Sequence, residues 1–154
     1  MRLVWCFFFF HLCRVTELKN HSNHFFLCFN QDSYGMAVIL KGYDAVAFFE
    51  QGKPVKGNPA IKSTYQGATY LFASEADKTA FDKEPARYAP QYGGFCAYGV
   101  VKRALDDFED LFVFTIYKGK LYLCGNQNAL EIFKNNIDTN IDRADTNWRQ
   151  LTGA

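Results

Sequence analysis

Cys96 stands in the setting best suited to chemistry: it follows Gly93-Gly94 and is flanked by Tyr92 and Tyr98. Glycines without side chains admit a ligand closely, or form a nest of backbone N–H groups that favours a thiolate. The two tyrosines bring phenols able to donate hydrogen bonds to it. The functional reading is a soft-metal ligand or a redox-active thiol; the plainer one is a small buried hydrophobe in a tight loop. Cys124 ends the strand-like Leu121-Tyr122-Leu123, with three roles open to it: a disulfide with Cys96, joint coordination of Cu(I), or packing. Two thiolates suffice for linear Cu(I). The other polar point in an apolar setting is Tyr43-Asp44, beside Gly42. Asp44 is either a ligand or acid/base carboxylate, or an acceptor for backbone N–H groups at a turn, the commonest use of Asp there.

What is missing narrows the chemistry. His11, His21 and His24 are the chain's 3 histidines, so the body beyond them has neither the usual general base nor the commonest metal ligand. The body keeps only Cys96 and Cys124 of 5 cysteines, which excludes a four-ligand zinc knuckle made by it alone. There is no phosphate loop, no G-x-S-x-G elbow and no H-E-x-x-H. Asp106, Asp107, Glu109 and Asp110 match no EF-hand spacing and read as a solvated loop. With a net charge of +1 and no basic run, the chain lacks the footprint of a nucleic-acid binder.

The elements that must position these residues form one domain, residues 36–154, behind an aromatic leader, residues 1–35. In the leader Arg2 precedes the short apolar run Leu3 to Phe10, which suits a signal peptide and is far too short to span a bilayer. No A-x-A-like cleavage site follows it. The competing reading is a mispredicted start with Met36 as initiator. The first would make the protein secreted or periplasmic, the second cytoplasmic. His21, His24 and Cys28 are the leader's own candidate metal group.

In the body, Tyr65 to Phe72 reads as two strands turning at Gln66-Gly67. Ser74 and Asp77 then start a helix with Ala76, Ala80 and Phe81 on its inner face, stopped at Pro85. The segment Tyr88 to Tyr98 reads as a structured loop. A second hairpin runs through Phe112–Tyr117 and Leu121–Leu123, turning at Lys118-Gly119. Asn126 or Asn128 caps a helix carrying Leu130, Phe133 and Ile137. Thr139 and Asp142 cap a last helix carrying Ile141, Ala144, Trp148 and Leu151, with Trp148 as a core anchor. The fold class is therefore α+β, two β-hairpin–helix units with a C-terminal helix. A step of 52 residues takes Tyr65, Gly67, Tyr70, Ser74 and Phe81 onto Tyr117, Gly119, Tyr122, Asn126 and Phe133, which suggests an internal duplication.

Tyr65-Gln66-Gly67-Ala68-Thr69-Tyr70-Leu71-Phe72-Ala73-Ser74, with Phe81, Pro85 and Tyr88, resembles the YHS domain. Lys41 to Phe49, Tyr88 to Val100, Gly119 to Leu123 and Ala144 to Trp148 extend the resemblance to small stand-alone YHS proteins over roughly residues 36–150. That resemblance implies metal binding, because YHS domains of copper-transporting ATPases and hydroxylases are proposed to use paired cysteines in a Phe-Cys-Ser-x-x-Cys helix start. Here Ala73 and Asp77 stand at the two cysteine positions. The run Lys102 to Leu111 also replaces a loop with Gly and Pro, and relatives often have Asn where Cys124 sits. The expected function is a non-enzymatic binding module for a transition metal such as copper, or for a small ligand. The alternative is a protein-interaction or structural domain with an inert, buried Cys96.

Overall fold

The computed structural model describes residues 37–153. The leader, with its signal-peptide and start-site readings and its His21, His24 and Cys28 group, lies outside them.

The first unit is built around a central strand. β1 (Ala37–Val38) leads through a tight turn at Ile39–Gly42 into α1 (Ala45–Glu50), β2 (Asn58–Tyr65), β3 (Ala68–Phe72), α2 (Glu75–Lys83) and α3 (Pro85–Tyr88). The sheet order is β1-β3-β2, with β3 parallel to β1 and antiparallel to β2. Gln66 and Gly67 both take positive φ, 49° and 75°, the backbone whose twist fits a two-residue hairpin. The Ser74 hydroxyl accepts the Asp77 N–H at 3.1 Å and so starts α2. Pro85 needs no N–H partner at a first helical position, so it ends α2 and opens α3 together.

The second unit comprises α4 (Ala97–Val101), β4 (Phe114–Tyr117), β5 (Lys120–Leu123), α5 (Gln127–Asn135) and α6 (Ile137–Thr152). It repeats the first at the same step of 52 residues, and over far more than the hairpins. The turn Gln91–Gly94 has positive φ at Tyr92 and Gly93, as Ile39–Gly42 has at Leu40 and Lys41. Pro90 bridges Leu121 in parallel, as Val38 pairs with Thr69. Tyr117 faces Lys120 as Tyr65 faces Ala68. Lys118 and Gly119 have φ 49° and 71°. α2 and α5 are each 9 residues, capped by Ser74 and Asn126, and end at Glu84 and Asn136, with φ/ψ −139°/61° and −136°/55°. Hairpin register and the order of helices agree, so residues 37–88 and 89–140 repeat one arrangement, although the second sheet has two strands where the first has three, and β4 has 4 residues where β2 has 8. The copies part after α3, which stops at Tyr88, whereas its counterpart α6 runs 16 residues.

The copies share their interior through β5. Alternation sends Leu121 and Leu123 into a cluster with Phe48, Phe72 and Phe81, and Tyr122 with Cys124 into a second with Cys96, Val100, Phe133 and Ala144. Phe114 crosses to the first copy, meeting Phe48 edge-to-face at 5.0 Å.

Four local expectations need correction. The last helix starts at Ile137 after Asn136, not at a Thr139–Asp142 box, because Asn136 takes the same breaking conformation as Glu84. Ile137 therefore opens α6 and does not extend the Leu130–Phe133 face of α5. Ala76 faces solvent, and the inner face of α2 is Phe81 with Ala80. The segment Tyr88 to Tyr98 is more ordered than a loop, holding the Gln91–Gly94 turn and the start of α4.

Glycine is required where backbones meet. A Cβ on Gly57 would lie 2.7 Å from the Leu71 backbone carbon, beside the Gly57 N–H to Gly42 carbonyl bond that holds the approach to Asp44. Gly57→Ala is expected to lower unfolding stability in urea by about 1–3 kcal/mol. Gly119→Ala, in open space at φ 71°, is expected to cost about 1–2 kcal/mol through strain alone.

Candidate functional site

The duplication sets Cys96 on the counterpart of Asp44. Each is the N-cap of a short helix, and each also ties that helix to a strand–helix junction across the unit. Asp44 Oδ1 accepts the Val46 N–H at 2.8 Å and the Ala47 N–H at 3.4 Å, while Oδ2 accepts the Ala73 N–H at 2.7 Å. Cys96 Sγ accepts the Gly99 N–H at 3.3 Å and the Gly125 N–H at 3.1 Å. Gly125 lies 52 residues after Ala73, so both ties fall at one place in the repeat. The cap duty foreseen for Asp44 is thus present, and the thiol performs the same duty in the second copy.

The two caps differ in what stands beside them. Asp44 is wholly enclosed, and this burial pushes its carboxyl up, aided by the neighbouring Asp77 carboxyl and opposed by the Ala73 and Val46 N–H groups. Cys96 and Cys124 lie in one buried cluster. The neighbouring Cys124 thiol, with the Gly99 and Gly125 N–H groups, outweighs burial and pulls the Cys96 thiol down from 9.0 to about 6. The neighbouring Cys96 sulfur, with burial, pushes Cys124 well above the usual thiol range. Access is narrow: Cys96 is 3% exposed and Cys124 0%.

The remaining candidates are distributed between the copies. The N–H groups on Cys96 come from Gly99 and Gly125, while Gly93 and Gly94 shape the preceding turn. The Tyr92 phenol donates to Asp145 Oδ1 at 2.8 Å, and burial with that carboxylate pushes it up. The Tyr98 ring lies under Lys102 at 5.1 Å. Tyr43 packs with the first cluster beneath Lys56, 4.7 Å from the ring centroid. Trp148 packs on Tyr92 and Phe95, with ring centroids 5.8 and 6.3 Å away, as a core anchor would. Among the described residues no group of three or more His, Cys, Asp or Glu could hold a metal ion. Sequence reasoning missed the Gly125 and Gly99 donors; the signal that could have found them was the repeat step carried back to Asp44 and Ala73.

The YHS domain family model matches residues 46–92. The chain contains a YHS domain. The matched span is about one copy long, running from α1 into the turn that opens the second. Neither a curated protein nor a solved structure matches the chain. Among the described residues, no helix of this YHS protein is long and apolar enough to cross a membrane. Positions 73 and 77, where metal-binding YHS domains are proposed to carry cysteines, bracket the Asp44 carboxylate here: Ala73 through its N–H and Asp77 through its carboxyl. Ala73 offers no ligand atom in its side chain and Asp77 only hard oxygen, so that place does not fit a soft metal.

The caps set opposite pH dependences. Cys96 is depressed from 9.0 to about 6, so between those values the folded chain holds fewer protons than the unfolded one. Stability therefore rises with pH across that window, and this gain is lost as pH falls through 6. Asp44 is raised, so its contribution falls as pH climbs above the ordinary carboxylate value. In urea unfolding from pH 5.5 to 8.5, the difference between the native chain and Cys96→Ala is expected to grow with pH. The corresponding difference for Asp44→Ala is expected not to grow over that range.

Proposed function

We propose that this YHS protein is a non-enzymatic binding module whose site is the Cys96–Cys124 pair, and whose ligand is a soft transition-metal ion, copper(I) first. The observation that carries this reading is that Cys96 and Cys124 share one buried cluster, with the Cys96 sulfur accepting the Gly99 and Gly125 N–H groups. Two sulfurs, with no third ligand grouped with them among the described residues, suit linear Cu(I) and leave a tetrahedral zinc site incomplete. Gly125 has no side chain, and a Cβ there would sit 3.6 Å from Cys96 Sγ, so its backbone lies against the sulfur. Binding would displace the Cys124 proton, and with Cys96 already ionised near neutral pH about one proton is released per ion.

A second reading, a protein-interaction or structural domain, draws on two observations. Cys96 is 3% exposed, and Phe112 and Ile116 stand 67% and 38% exposed beside β4, whose outer edge pairs with no other described strand. One experiment separates the two. Cu(I) titration of the reduced full chain is compared with Cys96→Ser/Cys124→Ser, both carrying the leader's Cys6, Cys13 and Cys28. The metal reading expects the native chain to take about one additional ion, with release of a proton. Equal uptake by both chains would discard it in favour of the interaction domain.

A further inference from the structure

We propose that a cationic groove of the second copy, at the far end of α4 from Cys96, binds a small phosphate monoester that carries hydroxyl groups. The groove shares no residue with the Cys96–Cys124 pair, so the proposal stands whether or not the pair takes a metal.

The groove is open, of about 590 Å³, and lies between the C-terminal end of α4 and one face of α6. That volume suits a small ligand. Lys102 and Arg103 line it from the α4 side, and Asp142, Arg143 and Asn147 from α6. Three cations thus meet one carboxylate, in a chain whose net charge is only +1. Among the described residues none of the three is in an ion pair. Positive charge at a helix C-terminus often serves the last carbonyls. Here the Val100 and Val101 carbonyls already accept from Asn147 Nδ2, at 3.0 Å each, so the cations are left for another partner.

Arg103 is held in place before any ligand arrives. Its φ of 64° is uncommon for a residue with a side chain. Its guanidinium lies on α6, where Nε donates to Asn147 Oδ1 at 3.2 Å and Nη2 to Gln150 Oε1. Both acceptors are neutral amides, so the charge stays uncompensated and three N–H donors remain. An arginine ordered in this way loses little further freedom when an anion binds. The repeat supplies the comparison. Lys102 and Arg103 fall on Glu50 and Gln51, and Gln51 has an ordinary φ of −113°. α3 stops at Tyr88, so the first copy also lacks the helical turns that carry Asp142, Arg143 and Asn147. Groove and positive charge therefore occur together, in the second copy.

The chemistry of the lining selects the ligand. A phosphate dianion suits two guanidinium forks and an ammonium, whereas a lone carboxylate would occupy one fork. Asp142 can only accept, and it repels an anion unless a ligand hydroxyl donates to it. That favours a hydroxylated ester over bare phosphate. Val101 adds an apolar wall for the ester's carbon frame.

The test uses the full chain, reduced and metal-free, titrated with ribose 5-phosphate, inorganic phosphate and ribose while backbone amide shifts are followed by NMR. Ribose 5-phosphate is expected to move the amides of Lys102, Arg103 and Arg143, and to bind roughly tenfold more tightly than either other probe. Added salt is expected to weaken it. Arg143→Glu and Lys102→Glu change exposed residues, the second to the residue found in the first copy. Each is expected to weaken binding roughly tenfold or more with the urea midpoint kept. Inorganic phosphate binding as tightly as the ester, shifts confined to residues outside the groove, or affinity unchanged in both variants would overturn the proposal. No copper enters these measurements, so failure of the metal titration is read separately.

Discussion

Inside each copy a single side chain accepts N–H groups from two places that the backbone cannot otherwise join. Asp44 takes Val46 at the start of α1 and Ala73 at the junction of β3 and α2; Cys96 takes Gly99 at the start of α4 and Gly125 after β5. Val46 and Gly99 are buried, where an unpaired N–H costs about 1–3 kcal/mol. The caps thus fix the angle between a short helix and its hairpin. α1 and α4, at 6 and 5 residues, are too short to hold that position by themselves.

The copies solve one geometric problem with different acids. A carboxyl enclosed beside another carboxyl resists ionisation, so Asp44 is drawn toward its proton. A sulfur beside a thiol and two amide N–H groups is drawn the other way. The repeat thus places a carboxyl at the capping position of one copy and a thiol at that of the other. The Cys124 position is the counterpart of Phe72, a core ring in the first copy.

β5 makes the copies interdependent. Its two faces feed both clusters, with Leu121 and Leu123 on one side and Tyr122 and Cys124 on the other. A change at Cys124 is consequently felt within the shared core.

Much of this protein was legible in its sequence because the signals are local. Ser74 and Asn126 start helices at the expected positions, and Gln66-Gly67 and Lys118-Gly119 turn hairpins, since caps and tight turns depend on a few adjacent residues. The 52-residue step was visible where residue types persisted, at Tyr65, Gly67, Tyr70 and Phe81 and their partners. It was invisible where type changed but duty did not: no residue comparison equates Asp44 with Cys96, or Glu84 with Asn136, because the backbone conserved there is carried by unlike side chains. That Cys96 and Cys124 share one buried cluster, while the Tyr92 phenol turns to Asp145, was decided by the packing of α4, β5 and α6, elements separated in the chain. Local chemistry specified the pieces; the gathering of two cysteines 28 residues apart into one cluster came from the way the second copy closes on itself.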